Sequence, residues 1–294
     1  MLRRVFVSFL SFLISSPVFA ANSPTVGVLQ IIEHPALNQT RDGLLARLKE
    51  NATTVEVQNA QGNPALAAQI AQKFVASGVK VIVALGTTAA QAAVSAAKAR
   101  GVPVVFSSVT DPLGAKLVKD LKQPGLPVTG ASNYIPSLEL LTFVKSEQPQ
   151  LKRLGVIYNP GEANSVSTLN EMQKVAKALG FEVVAVSATK SAECVAAAQN
   201  LAGSVEAILI HNDNTALSAF EAIAKVAKKA QLPLYASDHD VLPFGATATY
   251  GPDQYALGVQ TAEMVLEVLG GRRPEEMPVT FPEKAYSMRA PQNQ

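Results

Sequence analysis

The strongest constraint on this chain is an alternation that runs its length: short apolar stretches rich in Val, Ile and Leu take turns with longer Ala-rich stretches of helical period. The apolar runs lie at 25–32, 53–58, 79–85, 102–106, 128–131, 153–158, 181–187, 205–210, 232–236 and 246–250. They carry almost no polar face, so they predict strands covered on both sides, as parallel strands are. The intervening patterns at 36–49, 65–76, 89–98, 138–147, 165–179, 192–201, 216–229 and 254–269 predict helices, the last ended by Gly270-Gly271. Strand and helix in turn predict an α/β fold, parallel sheets with helices on both faces.

Roughly ten strands are many for one open sheet, and the pattern restarts. RLGVIYNP at 153–160 opens a second series that weakly resembles TVGVLQ at 25–30. Two lobes are therefore expected, residues 22–132 with 247–280, and residues 133–246 with 281–294.

The first residues set the compartment. Met1-Leu2-Arg3-Arg4 is basic, residues 5–14 are apolar, and SSPVFA at 15–20 ends in small residues. This is the pattern of a secretory signal peptide over residues 1–20, cut after Ala20. The apolar run is too short to remain as an anchor. The chain has 25 basic and 23 acidic residues, and Arg3 and Arg4 leave with the signal, so the exported protein is balanced. That excludes the basic surplus of a nucleic-acid binder. Cys194 is the only cysteine, so no internal disulfide can form and the core alone must stabilise the fold. No cysteine stands at the cleavage point to carry a lipid. A periplasmic monomer is expected.

In parallel sheets ligands sit beyond the carboxyl ends of strands, where helix N-termini point. Residues following each apolar run are thus the candidates. Glu33-His34-Pro35 follows the first. Gly86-Thr87-Thr88 follows the third and offers hydroxyls beside free N–H groups, a seat for a carboxylate or phosphate as well as a plain cap. Ser107-Ser108-Val109-Thr110-Asp111 gathers hydroxyls and a carboxylate. Asn159-Pro160-Gly161-Glu162-Ala163-Asn164 reads as a turn with capping groups. His211-Asn212-Asp213-Asn214-Thr215 has more polar groups than one cap needs, and Asp213 could pair with an ammonium or a hydroxyl. Ser237-Asp238-His239-Asp240 reads as a polar strand end, since His34, His211 and His239 lack metal-ligand spacing and no metal is expected. The roles of the three histidines stay open.

Catalysis has no support: no G-x-S-x-G, Walker A, HExxH or G-x-G-x-x-G is present, no cofactor is implied, and Cys194 lies in a helical pattern as packing. Polar groups from many strand ends suit binding in a closing crevice.

These stretches resemble a known family. QIIEHPALN at 30–38, ALGTTAAQAA at 84–93, VPVVFSSVTDPLGAKLV at 102–118, VTGASNYIP at 128–136, LGVIYNPGEANS at 154–165, HNDNT at 211–215 and the segment 248–271 resemble periplasmic solute-binding proteins of ABC importers, in the group similar to the tryptophan/tyrosine-type binding proteins. The resemblance implies a type I periplasmic-binding fold of two Rossmann-like lobes, three hinge crossings and a ligand between the lobes. It also implies delivery of that ligand to a membrane permease and ATPase, and an aromatic amino acid as one ligand class. On that basis Thr87 and Thr88 would hold a carboxylate and Asp213 the α-ammonium. Ser108, Asp111, Asn133, Asn164 and Asn214 would complete the polar shell, with Glu33 facing the same cleft. Trp is absent, so an aromatic ligand would need Phe106, Tyr134, Tyr158, Phe244 or Tyr250. HNDNTALSA also resembles, more loosely, the cleft segment of sugar-binding relatives. A sugar binder, a sensor for a receptor and an exported two-lobed enzyme are the competing readings.

Overall fold

The computed structural model describes residues 25–291; the expected signal peptide over 1–20 lies outside them. The chain begins with β1 (Val26–Gln30), α1 (Pro35–Glu50), β2 (Val55–Asn59), α2 (Pro64–Ser77), β3 (Val81–Leu85), α3 (Thr87–Ala97), β4 (Val104–Ser107) and β5 (Val128–Ala131). These strands form one parallel sheet in the order β2-β1-β3-β4-β5. Every residue of β1, β3, β4 and β5 is buried, while β2 at the edge is not. Pro35 and Pro64 open their helices where an N–H has no partner in any case. Asn63 caps α2 by accepting from the Ala65 and Leu66 amides.

After β5 the chain leaves this sheet for α4 (Ser137–Glu147), β6 (Arg153–Tyr158), α5 (Ala163–Ala178), β7 (Glu182–Ser187), α6 (Cys194–Ala202), β8 (Ala207–Ile210), α7 (Asn214–Ser218), α8 (Phe220–Lys229), β9 (Leu234–Ala236) and β10 (Ala248–Gly251). It then crosses back for α9 (Gln254–Leu269) and returns for β11 (Tyr286–Arg289). The second sheet has the order β11-β10-β9-β8-β6-β7, parallel except for β11. Its core lies in two layers, one of α4 and α5 side chains such as Leu141 and Met172, the other of α6 and α8 side chains such as Leu201 and Ile223. Cys194 is buried in the second layer, where burial pushes its thiol up to about 12. No described helix is long and apolar enough to cross a membrane.

The chain departs from the expected boundaries at three points. Residues 248–251, expected in the first lobe, form β10, which pairs with β9 through Ala248↔Tyr235 and Thr249↔Ala236. The return to the first lobe thus follows Gly251. The helical pattern at 216–229 is two helices, because Ala219 leaves helical geometry at φ −104°, ψ 10°. Strand β11 is absent from the sequence reading because all four of its residues are exposed and give no apolar run.

Helix α9 binds the first lobe through α1, and two glycines permit the contact. A methyl group at Gly43 would overlap the Tyr255 carbonyl oxygen, and one at Gly258 the Thr40 carbonyl oxygen. Gly258→Ala must therefore push the helices apart, which costs about 1–3 kcal/mol. Urea denaturation should show a lowered midpoint; an unchanged midpoint would contradict the contact.

Candidate functional site

The carboxyl ends of both sheets face one cleft, and the polar turns that follow the strands meet in it. A cavity of about 10 Å³ sits between the lobes, lined from the first by His34, Ser108 and Thr110 and from the second by Asn164, Asn214 and Asp238. An amino acid cannot enter a space of that size unless the lobes separate. A second cavity of about 220 Å³ adjoins it and shares Asn214, with Ile31, Gly62 and Thr88 on one side and Glu162 and Thr189 on the other.

Hydrogen bonds span the cleft. The Leu37 amide donates to His34 Nδ1 at 3.3 Å, which leaves the ring proton on Nε2. Nε2 then donates to Asn214 Oδ1 at 3.2 Å. Burial lowers the His34 pKa to about 4, so the ring is neutral near pH 7. Gln254 Nε2, from the start of α9, donates to Asp238 Oδ1 at 2.5 Å. Ser167 donates to Asp111 Oδ2 at 2.7 Å at the rim. Ser108, beside the cavity, holds φ at +55° and has its hydroxyl 3.2 Å from that of Thr40. A left-handed non-glycine residue stores about 1–3 kcal/mol of strain, and such strain collects at binding sites.

Two buried carboxylates have another task, Glu162 on the wall of the larger cavity and Asp213 behind it. Glu162 accepts from the Thr215 hydroxyl at 2.7 Å and amide at 3.1 Å, and from the Asn214 side chain at 2.5 Å and amide at 3.1 Å. Asp213 Oδ1 accepts the Ala216 amide at 2.7 Å and Oδ2 the Asn159 amide at 2.6 Å. Burial raises both carboxyls above their ordinary range, and the Asp213 charge raises Glu162 further. The pair locks the turn after β6 to the turn after β8.

The expected site residues separate accordingly. Ser108, Asn133, Asn164 and Asn214 line the small cavity, and Thr88 lines the larger one. Thr87 lies behind it, 1% exposed, with a hydroxyl that has no partner. Asp111 sits at the rim, its Oδ1 capping Gly114 at 2.8 Å. Glu33 is exposed in a depression lined by Asn59 and Gln61 of the first lobe and Ser191 and Ser218 of the second, and lies 3.8 Å from Arg41. Asp213, expected to meet an ammonium, lines neither cavity, because both its oxygens are taken by backbone amides.

The aromatic side chains are elsewhere too. Phe106 is in the core, Tyr134 donates to Glu171, and Tyr250 stacks on Phe143 and donates to Glu139. Phe244 lines an outer groove, and Tyr158 packs on the α4–α5 layer. Apolar contact in the small cavity comes instead from Ala36, Leu37 and Leu217. Five polar lining residues are not among the ligand contacts expected from the sequence: His34, Thr110, Asn212, Asp238 and Gln254. Asp238 does carry a signal, a carboxylate just beyond a strand end, which the sequence reading takes for a polar strand end. Both His239 nitrogens are occupied, by Thr249 Oγ1 and the Gly251 carbonyl, each at 2.8 Å.

A family model described as ABC transporter substrate binding protein matches residues 25–288. The chain belongs to that family. This substrate-binding protein is 34% identical over 261 residues to a tyrosine-binding protein of Clostridioides difficile, covering 87% of this chain and 75% of that one. A conserved domain protein of Vibrio cholerae has the same structure with a TM-score of 0.88 at 40% identity, covering 91% and 92% of the two chains. The ABC domain of Streptococcus pneumoniae in complex with L-Trp matches with a TM-score of 0.85 at 32% identity, covering 89% and 91%. A solute-binding protein only 15% identical, with a TM-score of 0.67, shares the type I periplasmic-binding fold alone.

Next to the cleft, His211 is fully buried and neither ring nitrogen has a partner. Burial lowers its pKa from 6.5 to about 4. Acid therefore protonates the unfolded chain first, and the folded state loses stability as pH falls from about 6.5 toward 4. A shift of that size is worth about 3 kcal/mol. His211→Leu removes this titration, so urea denaturation should show the variant gaining about 3 kcal/mol on the parent between pH 6.5 and pH 4. A difference independent of pH would contradict a buried neutral ring.

Proposed function

We propose that this substrate-binding protein is exported, captures an aromatic or large apolar amino acid between its lobes, and presents it to the permease and ATPase of an ABC importer. The observation that carries the reading is a cavity built from the strand ends of both lobes in a chain 34% identical to a tyrosine-binding protein. A ligand that contacts both lobes at once adds to the bonds that already span the cleft and stabilises the closed form, so binding energy becomes closure. The start of α3 suits the ligand carboxylate: Gly86 leaves the first N–H groups without a side-chain cap, and Thr88 lines the adjoining cavity. A binding role without chemistry fits a family of substrate binders, and the one thiol, pushed up to about 12, is a poor nucleophile.

Thermal-shift measurement with L-tyrosine, L-tryptophan and L-phenylalanine beside glucose, ribose and myo-inositol tests the ligand class. An amino acid should raise the melting temperature, since a ligand specific to the folded state stabilises it by mass action. Thr88→Val should weaken that ligand by a few-fold in calorimetry, because the backbone N–H groups remain. Stabilisation by a sugar and by no amino acid would overturn the reading. N-terminal sequencing of the periplasmic protein should begin at Ala21, and a retained Met1 would overturn the export.

A further inference from the structure

The small cavity has an unbalanced set of hydrogen-bonding groups. Among the described residues Asp238 is the only formally charged side chain in its lining, and no Lys or Arg lines it. The carboxylate is 1% exposed. Its Oδ1 accepts from Gln254 Nε2 at 2.5 Å. Its Oδ2 has only the Ser237 hydroxyl at 3.3 Å, and that hydroxyl lies closer to Asn212 Oδ1, at 2.8 Å. A hydroxyl has one proton to give, so the shorter bond takes it and Oδ2 is left without a strong donor. A buried carboxylate lacking a counter-charge is costly, and burial pushes its carboxyl up to about 6.

Asn164, which lines the same cavity, has the same deficit. Its amide nitrogen donates to the Asn212 carbonyl at 2.7 Å and to Glu162 at 3.3 Å, which fixes the side chain's orientation. Its Oδ1 is buried with no partner. The lining thus carries two acceptors short of donors, one of them charged. A neutral hydroxyl would satisfy one of them and leave the charge uncompensated. A group with several N–H bonds and a positive charge satisfies both.

We propose that Asp238 Oδ2 and Asn164 Oδ1 form the ammonium subsite of the ligand cleft, in place of Asp213. The inference rests on the amino-acid reading above and names the residues that recognise the ligand's charged end. Glu162 and Asp213 are excluded from that role by the same count, since their oxygens are filled by the protein's own donors. Asp238 then selects zwitterionic or cationic ligands over carboxylic acids of the same shape, and over sugars.

The test uses calorimetry of the exported chain with L-tyrosine and its des-amino counterpart, 3-(4-hydroxyphenyl)propionate, or L-tryptophan and indole-3-propionate where tryptophan binds more tightly. Asp238→Asn should weaken the amino acid at least about 30-fold, the smaller end of what removing one partner of a buried charged pair costs. The des-amino acid should bind the parent at least 30-fold more weakly than the amino acid does, and Asp238→Asn should leave that weak affinity unchanged. If Asp238→Asn melts early, Asp238→Ser, which keeps a hydroxyl for Gln254, carries the same comparison. Equal affinity of parent and variant for the amino acid overturns the subsite while the amino-acid reading stands. So does a des-amino acid that binds the parent as tightly as the amino acid. A parent that binds neither amino acid overturns both.

Discussion

The close contact of α1 with α9 decides how the two lobes are joined. Helix α9 follows a strand of the second sheet but packs on the first, which it can do only because Gly43 and Gly258 let the two backbones touch. That contact sets Gln254 at the head of α9 beneath the cleft. From there its carbonyl oxygen accepts from Thr40 at 3.2 Å on α1, while its amide reaches across to Asp238 at 2.5 Å. Thr40 in turn lies 3.2 Å from the Ser108 hydroxyl. One chain of side chains, both buried and polar, therefore runs from the helix pair through the floor of the cavity to the opposite lobe.

Hydrogen-bond accounting separates structural carboxylates from those available to a ligand. Burial alone does not, since Glu162, Asp213 and Asp238 are all buried. Glu162 and Asp213 accept from amides and hydroxyls of two adjoining turns and so serve to fix them. Asp238 has one strong donor and an oxygen to spare. The neutral His34, donating to Asn214 across the cleft, belongs to the first kind: its two nitrogens are engaged in capping α1 and in orienting Asn214 toward Glu162.

Much of the fold was legible because strands buried on both faces write themselves as unbroken apolar runs: β1, β3 and β8 are examples. Strand β11, exposed throughout, writes nothing. The candidate cleft was legible as a set of strand ends: Ser108, Asn133, Asn164 and Asn214 line the small cavity and Thr88 the larger one. Which of the buried carboxylates lines the small cavity was not legible. Asp213 and Asp238 both follow a strand inside a polar run, and nothing in their neighbours' identity says which way each side chain turns. Asp213 becomes the cap of α7 and spends an oxygen on the Ala216 amide. Asp238 precedes a tight turn at His239–Phe244 that takes no side-chain cap, and it lines the cavity. The side chains of Phe106 and Tyr250 are likewise used by the cores of their own lobes, which their place at a strand end does not reveal.

A crystal structure of the exported chain grown with L-tyrosine or L-tryptophan tests the account most directly. The account predicts the amino acid between the lobes, its nitrogen within hydrogen-bonding distance of Asp238 and Asn164 and its carboxylate toward the start of α3. A ligand whose carboxylate faces Asp238, or one seated in the outer groove between Tyr255 and Tyr286, would contradict it.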